Sequence, residues 1–390
     1  MPLKIVKIEM GLVRIPLITP FKTALRTVEH VEDILLRLTA ESGEAGYGEA
    51  PPTKAITGET LESIQAALTE KILPAMMEAQ NRTSKDEADR LETLLRAVQN
   101  ACGGNSSAKA AADMALFDLA AREAGEPLYR FLAKWQRMHG DSLRTTLLTD
   151  LTISVNPVPQ MAEDARIAVR RGFRDIKIKV GKEGEHDLER IAAIREAVGS
   201  QIGIRVDANQ GWTPEEAVRI LTAAEERGLG LAFVEQPVGG GDLAGMAYVK
   251  AHTHTMVVAD ESMFHPEDAQ AVFERQAADL VNIKLMKAGG LYEACRIAAI
   301  ARSFGKKCMI GCMLESKIAV SAAAHFAAAS EVVTAIDLDG PSLCAADPYA
   351  GGPLFDGPRI VMNETAGLGI EDVDASYMDG WRDVTPWIAS

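Results

Sequence analysis

The second half of this chain alternates regularly between short apolar runs and longer segments in which apolar residues have helical spacing. Eight strand-like runs follow one another from residue 151 onward: LTISVN (151–156), DIKIKV (175–180), IGIRVDAN (202–209), LAFVEQP (231–237), MVVADES (256–262), LVNIKLM (280–286), KCMIGC (307–312) and TAIDLDG (334–340). Several intervening segments begin with helix-start signals, such as Thr213 before Pro214. Apolar strands that are each followed by one helix predict a parallel sheet covered on its outer face, and eight such units predict a closed barrel.

The first part of the chain has a different pattern, which predicts a separate α+β domain. Residues 1 to about 50 contain two or three amphipathic strands, KIVKIEMGLVRIPL, DILLRLTAES and AGYGEAP, and residues 59 to 134 have helical spacing. We therefore divide the chain into a capping domain at 1–134, a barrel at 135–340 and a C-terminal segment at 341–390. The last segment is rich in Gly and Pro, and we expect it to pack back on the capping domain.

Composition and charge limit the classes of partner. The 390 residues are 47% hydrophobic, which is enough for a large core. Lys and Arg number 41 against 55 Asp and Glu, and the net charge of -14 argues against binding to nucleic acid or to an anionic membrane. The five cysteines form no CxxC pair, and their odd number favours a reduced, cytoplasmic location. From the N-terminal pattern MPLKIVKIEMGLVRIPL we expect neither an export signal nor a membrane span.

Two lysines, Lys177 and Lys179, lie one residue apart in the second strand-like run. Alternate side chains of a β-strand point to opposite faces, so both lysines project the same way, into an interior otherwise made of Ile and Val. Burying two amines is costly unless nearby anions compensate for their desolvation. The strands that follow supply such anions at Asp207, Glu235 and Asp260. This combination indicates an active site.

Polar residues recur at the carboxyl ends of the strands, which in a parallel barrel converge on one mouth. In chain order they are Lys177 and Lys179, Asp207 and Asn209, Glu235, Asp260 and Glu261, Lys284, and Asp337 and Asp339. A single carboxylate at a strand end is often a helix cap or part of a surface ion pair. Three acids and then a lysine on successive strands are much harder to explain in that way.

The acids Asp207, Glu235 and Asp260 have no His or Cys partner, so they form a hard oxygen site that suits Mg²⁺ better than zinc. A divalent ion held there can bind a substrate carboxylate and stabilise the enediolate that forms when the adjacent carbon loses its proton. Lys179 and Lys284 can then remove and return that proton on opposite faces. The pattern therefore predicts proton transfer at a carbon next to a carboxylate.

Five motifs carry a resemblance that runs essentially from end to end of the chain: KIKVG, RVDANQGW, VEQPV, ADES and NIKLMKAGG. With them the sequence resembles the enolase superfamily, its muconate-lactonizing-enzyme subgroup and, within that, the dipeptide epimerases of the L-Ala-D/L-Glu type. The resemblance implies an α/β fold, a modified TIM barrel (β/α)7β with an N-terminal α+β capping domain that the C-terminal tail completes. It also implies a dipeptide substrate that is inverted at the α-carbon of its C-terminal residue, and murein peptide metabolism as the setting.

The resemblance further implies roles for the residues at the strand ends. The implied Mg²⁺ ligands are Asp207, Glu235 and Asp260. The implied acid/base pair is Lys179 and Lys284, and Lys177 is the cation implied to polarise the substrate carboxylate. We expect Asn209, Glu261 and Glu315 to surround this set as outer neighbours.

An acidic pair at the end of the eighth strand-like run narrows the reaction. Asp337 and Asp339 resemble the DxD signature of dipeptide epimerases, whose acids receive the α-ammonium group of the substrate. Alternation places both carboxylates on one face, and paired carboxylates are a good receptor for a free amine. The alternative is a plain acidic turn before Gly340 and Pro341.

Side-chain preference of the substrate depends on the loops around the mouth. The segment TPFKTALRTV (19–28) resembles the mobile loop that closes the mouth, and Arg26 in it matches the residue that binds the glutamate side chain of the substrate. The loop APPTKAITGE is expected to join this lid. Cys312 departs from the pattern of these epimerases, which usually have Ser there, so side-chain preference stays open.

Three other functions compete with this interpretation. A muconate cycloisomerase, or an enzyme of the N-acylamino acid racemase and o-succinylbenzoate synthase type, uses the same metal and lysines but lacks the acidic pair at Asp337 and Asp339. An acid-sugar dehydratase of the mandelate-racemase type has a His-Asp pair in place of Lys284. A catalytically silent barrel that binds a metal or a peptide would have lost a ligand or a lysine, and none is lost. We also expect a homo-oligomer, since closed homo-oligomers are common.

Overall fold

The structure is a computed structural model that describes residues 3–22, 27–82, 90–136, 143–181 and 184–388. Its N-terminal domain begins with three antiparallel strands, β1 (Ile5–Lys22), β2 (Thr27–Ala40) and β3 (Ala45–Ala50). Strands β1 and β2 pair over most of their length, with Leu12 opposite Ile34. The apolar residues that the sequence pattern assigned to one face of these strands form part of the core.

Helices cover one face of this sheet. The described residues contain α1 (Leu61–Ala67), a π-helical turn (Leu68–Ile72), α2 (Leu73–Arg82), α3 (Arg90–Asn100), α4 (Ser106–Glu123) and α5 (Leu128–Trp135). Helix α4 is rich in Ala and buried along most of its length. Strand β3 approaches it so closely that a Cβ atom on Gly48 would lie 1.9 Å from the carbonyl oxygen of Ala111. Small residues on both sides therefore let the sheet and α4 pack together.

The second half of the chain forms the predicted parallel sheet. A short strand, β4 (Thr146–Leu148), precedes eight strands that pair in sequence order: β5 (Leu151–Ile153), β6 (Asp175–Lys179), β7 (Gly203–Asp207), β8 (Leu231–Glu235), β9 (Met256–Ala259), β10 (Leu280–Ile283), β11 (Lys307–Gly311) and β12 (Val333–Asp337). Each predicted run overlaps one of the eight. The strands are shorter than the runs because the polar residues that end several runs lie in the loops that follow.

Helices connect the strands and cover the outside of the sheet. They are α6 (Val158–Arg170), α7 (Glu185–Val198), α8 (Pro214–Glu226), α9 (Leu243–His252), α10 (Pro266–Glu274), the short α11 (Leu285–Ala288), α12 (Leu291–Ser303) and α13 (Lys317–Ala329). Helix α8 begins where the sequence predicted, with Thr213 accepting the N–H of Glu216. Seven strand and helix units followed by an eighth strand confirm the predicted (β/α)7β fold class.

Side-chain hydrogen bonds join the first and last strands of the barrel. The Thr149 hydroxyl oxygen accepts the N–H of Leu338 at 2.8 Å, and the Asp339 carboxylate accepts the N–H of Thr152 at 2.7 Å. The barrel interior below the mouth is filled by a small apolar cluster that includes Phe233, Val258, Leu280, Met309 and Ala335. Several of these residues precede a polar residue of the mouth by two positions, so strand alternation stacks the polar layer on an apolar one.

The tail returns to the N-terminal domain, as the sequence analysis expected. It contains α14 (Gly340–Leu343), β13 (Tyr349–Gly351), β14 (Leu354–Asp356), β15 (Arg359–Val361), β16 (Ile370–Val373), a 3-10 turn (Ala375–Tyr377), β17 (Arg382–Asp383) and α15 (Thr385–Ile388). Strand β17 extends the first sheet, with Asp383 opposite Glu9, while β15 pairs with β4. The domain boundaries at 134 and 340 stay predictions. Within the described ranges, no helix has both the length and the apolar character needed to cross a bilayer.

Candidate active site

The carboxyl ends of the barrel strands bring the predicted polar residues into one cluster. Lys179 of β6 lies in register with Asp207 of β7, which lies in register with Glu235 of β8. Asp260 and Lys284 come directly after β9 and β10. All eight of the following side chains belong to residues that are at most 7% exposed: Lys177, Lys179, Asp207, Glu235, Asp260, Lys284, Asp337 and Asp339.

Three carboxylates of this cluster form a site that could hold a metal ion. Asp207, Glu235 and Asp260 each offer one oxygen, and these oxygens lie within 4.8 Å of one another. All three residues are buried. Carboxylate oxygens are the ligands that hard divalent cations take in proteins. The residues present therefore fit a hard divalent cation.

The lysines lie against these acids from different sides. The Lys177 ammonium contacts Asp207 at 3.1 Å, Glu235 at 2.7 Å and Asp337 at 2.8 Å. The ammonium of Lys179 is 2.6 Å from Asp207. Lys177 therefore contacts several acids at once, at the centre of the cluster.

On the other side of the cluster, Lys284 is 2.7 Å from Asp260. The charges of Lys177, Lys284 and Asp260 are stabilised by neighbouring groups of opposite charge. Burial alone would lower the pKa of Lys177 and of Lys284, but the surrounding carboxylates raise both. Burial would raise the pKa of Asp260, but Lys284 and Lys287 lower it well below its usual range.

Lys287 is a member of this site that the sequence analysis missed. Its ammonium contacts the Asp260 carboxylate at 2.5 Å and the carbonyl oxygens of Met263 at 3.0 Å and Asn282 at 3.2 Å. The residue is 1% exposed. The only sequence signal was a second lysine, three residues after Lys284, in the otherwise apolar run LMKAGG. One helical turn places both lysines on Asp260.

The sequence analysis also missed two amide side chains that hydrogen-bond residues of the carboxylate site. Asn282 donates to Glu235 at 2.7 Å. The side-chain oxygen of Gln236 accepts the N–H groups of Asp260 at 2.9 Å and Ser262 at 3.1 Å. Gln236 has a φ of 38°, in the left-handed region. A polar residue inside an apolar strand, as in VEQPV and LVNIK, was the signal for both amides.

Asn209 and Glu261, expected as outer neighbours, line the cavity beside the three carboxylates. The Asn209 side chain donates to Glu261 at 3.4 Å, and its backbone N–H donates to Asp207 at 2.9 Å. Burial and the charges of Asp260 and Asp207 raise the pKa of Glu261 to about 8. One oxygen of each side chain, Asn209 Oδ1 and Glu261 Oε2, is buried without a hydrogen-bond partner among the described residues.

The acidic pair at the end of β12 lies in the same cavity. Asp337 pairs with Lys177, which lowers its pKa although burial opposes this. Asp339 accepts the N–H of Thr152 and so also closes the barrel. Burial and the nearby Asp337 charge raise the pKa of Asp339 to about 6. The pKa values of the two carboxylates are therefore shifted in opposite directions although both line the cavity.

The remaining predicted residues have different locations. Cys312 lines the cavity, and burial raises the pKa of its thiol well above the usual range. Glu315 is buried in the loop after β11, where it accepts the N–H of Met313 at 2.6 Å. Arg26 lies outside the described residues, so its predicted contact with the substrate stays a prediction.

A cavity lies above the cluster, and together with its open mouth it has a volume of about 680 Å³. Its floor is polar and its walls are mainly apolar, with Phe21 from β1, Ile56 from the loop after β3, and Met313 and Leu343 from the barrel side. Both domains therefore contribute to it. The cations among the described lining residues are Lys177, Lys179 and Lys284.

Two families match nearly the whole chain between them. The family described as "Enolase C-terminal domain-like" matches residues 160–375. The family described as "Mandelate racemase / muconate lactonizing enzyme, N-terminal domain" matches residues 7–133.

Similar proteins extend over almost the full length of the chain. The L-Ala-D/L-Glu epimerase of Bacillus subtilis (strain 168) is 44% identical over 98% of this chain and 100% of its own length. The same enzyme from Clostridium acetobutylicum is 42% identical over 94% of this chain and 98% of its own.

Solved structures of similar proteins include dipeptide epimerases. A substrate-liganded complex of the Bacillus subtilis enzyme aligns with a TM-score of 0.89 and 43% identity, covering 95% of this chain and 99% of that one. A dipeptide epimerase from Enterococcus faecalis V583, complexed with Mg and the dipeptide L-Leu-L-Tyr, aligns with a TM-score of 0.85 and 36% identity, covering 95% and 100%.

Proposed function

Since this chain belongs to the mandelate racemase/muconate lactonizing enzyme family of the enolase superfamily, we propose that it is a dipeptide epimerase, an isomerase that inverts the C-terminal residue by 1,1-proton transfer. The observation that carries the proposal is the position of two lysines around the carboxylates. Lys179 ends β6, the second strand of the barrel, and Lys284 follows β10, the sixth. The second and sixth strands of an eight-stranded barrel face each other. The two amines therefore approach a substrate from opposite sides, as inversion requires.

The proposed resident ion is Mg²⁺, held by Asp207, Glu235 and Asp260. Three carboxylates in a buried cluster are a suitable ligand set for it. When bound, the ion supplies positive charge beside the substrate carboxylate, which makes the neighbouring C–H bond more acidic. Asn282 and Lys287 keep Glu235 and Asp260 oriented, because each contacts one of these carboxylates.

The lysines are proposed to move the proton. Lys179 or Lys284, when neutral, removes the α-proton on its own face, and the other, as an ammonium, delivers a proton to the opposite face. The roles exchange with the epimer that is bound. Lys177 contacts three carboxylates and keeps its charge, so its proposed role is to orient the carboxylate of the substrate.

Asp337 and Asp339 are proposed to receive the α-ammonium group of the N-terminal residue. Both are buried and line the cavity, and a charge-assisted bond to an ammonium is stronger than one to a neutral group. A muconate cycloisomerase or an N-acylamino acid racemase binds substrates that have no free α-amine, so this pair separates those alternatives from a dipeptide epimerase.

L-Ala-D/L-Glu is the substrate pair we propose. The support is the identity of 42% and 44% to two enzymes of that name over nearly the whole chain. The Enterococcus faecalis dipeptide epimerase, at the lower identity of 36%, was solved with L-Leu-L-Tyr, so more distant relatives bind other dipeptides. Arg26 is the proposed receptor for the glutamate carboxylate, and Cys312 is a second position for side-chain choice.

The test is a panel of dipeptides in D₂O with Mg²⁺, followed by proton NMR of the C-terminal α-position. We expect L-Ala-L-Glu to lose its α-proton signal and to give both epimers. L-Ala-L-Gln should react at least about tenfold more slowly in kcat/KM, since a buried charged hydrogen bond is worth about 2–5 kcal/mol. Arg26→Ala should remove that preference. Turnover of N-acylated amino acids without turnover of any dipeptide would overturn the proposal.

Location and assembly are further proposals. We infer a cytoplasmic enzyme that forms a homo-oligomer and binds no nucleic acid. The support is the net charge of -14 and the odd number of cysteines, five in all. Light scattering on the purified chain tests the oligomeric state.

A further inference from the structure

The segment that follows Lys284 is in contact with the capping domain. Lys284 caps the short helix α11, and its carbonyl accepts the N–H of Lys287 at 3.0 Å. Gly289 and Gly290 come next, with φ of 93° and 119°, in the left-handed region that favours glycine. Helix α12 then begins at Leu291. Residues 284–290 thus connect β10 to α12 through one short helix and two glycines.

Two side chains of the capping domain bind this segment. Gln99 of α3 donates from its side-chain nitrogen to the Gly289 carbonyl at 2.7 Å. Asp113 of α4 accepts the N–H of Leu291 at 2.5 Å and that of Tyr292 at 3.2 Å. Asp113 therefore caps the N-terminus of α12 from outside the barrel.

The turn at Gly289 and Gly290 packs closely against the capping domain. A Cβ atom on Gly290 would lie 2.3 Å from the carboxyl carbon of Asp113, and one on Gly289 would lie 2.8 Å from the side-chain oxygen of Gln99. Real Cβ atoms do not approach other atoms so closely, so the two glycines allow the capping domain to reach the backbone. The position of this turn depends on the docked capping domain.

Lys179 is held in a different way. It ends β6, which pairs with β5 and β7. The N–H of Gly181 donates to the Asp187 carboxylate at 2.9 Å, and Trp212 donates to the same carboxylate at 3.0 Å. All of these partners belong to the barrel. The two proposed acid/base lysines therefore differ in whether the capping domain supports them.

We propose that Asp113 and Gln99 are positioning residues for Lys284, so that docking of the capping domain aligns one of the two proton-transferring amines and not the other. This inference rests on the proposed epimerase function. Neither Asp113 nor Gln99 is among the described residues that line the cavity. They act through the turn that carries Lys284 and Lys287.

The predicted consequence is an asymmetry between the two epimers. A shift of about 1 Å in a reacting group can cost about 100-fold in rate. When Lys284 is displaced, Lys179 still removes its proton from one epimer, and the proton returns to the same face. That epimer should exchange its α-proton with solvent while keeping its configuration. The other epimer, which Lys284 deprotonates, should lose both exchange and inversion.

The experiment compares Asp113→Asn with the wild type in D₂O and Mg²⁺, starting from L-Ala-L-Glu and, separately, L-Ala-D-Glu. For each epimer, the rate of deuterium incorporation is divided by the rate of inversion. We expect inversion to fall about 10- to 100-fold in Asp113→Asn. The exchange-to-inversion ratio should rise by a similar factor for one epimer only. A merely structural defect lowers the amount of active enzyme and leaves this ratio unchanged.

Asp118→Asn is the matched control. Asp118 lies on the same helix and is also fully buried, but it accepts the N–H groups of Tyr47 at 2.8 Å and Leu368 at 2.6 Å and thus joins the capping domain to the tail. Its replacement should leave the ratio at the wild-type value for both epimers. A ratio that rises equally in Asp118→Asn and Asp113→Asn would overturn the inference.

Gln99→Met keeps the test decisive if Asp113→Asn does not fold. Gln99 is only half-buried, and Met has a similar length but cannot donate to Gly289. In Gln99→Met the exchange-to-inversion ratio should also rise for one epimer only, by a smaller factor than in Asp113→Asn. An unchanged ratio in a folded Gln99→Met, or in a folded Asp113→Asn, refutes the positioning role. If wild-type enzyme inverts no dipeptide at all, the proposed function itself fails, which is a different result.

Discussion

Buried carboxylates occur in two regions of this molecule, and their partners differ. The mouth acids lie at the ends of the barrel strands and contact lysine ammonium groups: Asp207, Asp260 and Asp337. The interface acids lie where the capping domain meets the barrel loops and helices, and they contact backbone N–H groups: Asp33, Glu49, Asp113 and Glu315. Both sets are almost completely inaccessible to solvent.

The pKa shifts of Asp207, Asp260 and Asp337 are opposite in direction to those of Asp33, Asp113 and Glu315. Burial disfavours ionisation in both, but the lysines lower the pKa of the mouth acids, that of Asp207 to about 2. Burial and neighbouring acids raise the pKa of Asp33 and Glu315, the latter to about 8. Burial likewise raises that of Asp113 despite the N–H groups it accepts. The lysine charges thus offset the desolvation of Asp207, Asp260 and Asp337, whereas backbone N–H dipoles offset that of Asp113 only in part.

The difference separates two uses of the same residue type. The mouth acids remain anionic at neutral pH, so they can bind a cation or an ammonium group. The interface acids serve docking: Glu49 accepts the N–H groups of Ser316 and Ala319 and so caps α13, as Asp113 caps α12. Local partners, more than burial, decide which use a carboxylate has.

Removing a lysine from the mouth should have the largest effect. Lys284→Ala and Lys179→Ala should each lower inversion by about 10²- to 10⁴-fold, the usual contribution of a general acid or base. Each variant should still exchange the α-proton of one epimer, and the two variants should differ in which epimer that is. NMR in D₂O measures both rates, and circular dichroism checks the fold. Full two-way inversion by Lys284→Ala would contradict the assignment.

Removing the charge that Asp337 and Asp339 are proposed to bind should have the next largest effect. N-acetylation of L-Ala-L-Glu neutralises the α-ammonium and leaves Asp337 and Asp339 unpaired against the substrate. The expected loss is about 2–5 kcal/mol, which is about 30- to 4,000-fold in kcat/KM. The measurement is kcat/KM for the free and the acetylated dipeptide. Equal values would show that these two acids do not receive the amine.

A matched pair of substitutions sharpens the comparison by separating activity from stability. Burial and the neighbouring acids raise the pKa of Glu235 to about 7 although Lys177 opposes this, so the neutral form is accommodated at that pH. Glu235→Gln should therefore change the unfolding free energy of the metal-free protein by less than about 1 kcal/mol, yet lower magnesium-dependent activity by at least about 100-fold. Asp113→Ala should instead cost about 1–3 kcal/mol of stability, because it leaves buried N–H groups unpaired.

Calorimetric titration with Mg²⁺ and urea unfolding measure the two quantities for both variants. Asp113→Ala should retain Mg²⁺ binding. If Glu235→Gln binds Mg²⁺ as tightly as the wild type, Glu235 is not a ligand. If Glu235→Gln also loses several kcal/mol of unfolding free energy, activity and stability are not separated at this position.

The mouth acids could be predicted from the sequence, whereas of the interface acids only Glu315 was expected near the site. Asp207 and Asp260 end apolar runs, and the period of a β-strand fixes the side to which they point. Asp113 stands in the helical run AADMALFDLA, and its partner Leu291 is 178 residues away. No local pattern reports such a contact. Resemblance to a family supplied roles for the mouth residues, but it gave no signal for Gln99 or Asp113.

Dependence on contacts outside the local pattern also explains why Lys287 and the short tail strands were missed. Lys287 was visible as a charge in an apolar run, but only the helical turn after Lys284 places it on Asp260. The short strands of the tail were hidden by its Gly and Pro content, since their pairing with β1 and β4 depends on strands that are distant in sequence. The sequence indicated which strand ends converge, but it did not indicate the individual contacts of Lys287 or of the tail strands.

The smallest expected effect is the pH dependence of stability, where Asp207 at the mouth and Glu315 at the interface should act in opposite directions. A carboxylate whose pKa is lowered on folding adds stability above its unfolded pKa, and this is lost as pH falls through the folded pKa. For Asp207 that window extends from about 4 down to about 2. A carboxylate whose pKa is raised adds stability that is complete at low pH and is lost as pH rises. For Glu315 that window extends from about 4.5 up to about 8.

Between pH 5 and pH 8 the metal-free protein should therefore lose stability as pH rises, because Glu315 holds a proton that the unfolded chain has released. One such proton contributes about 1.4 kcal/mol per pH unit at most. Glu315→Gln should make the slope of unfolding free energy against pH shallower by up to that amount. Glu196→Gln, on the exposed side of α7, is the control and should leave the slope unchanged. Urea unfolding at five pH values measures the slopes. A Glu315→Gln slope equal to that of the wild type would mean that this interface acid is already ionised at pH 5, and that its surroundings offset its desolvation as fully as lysines do at the mouth.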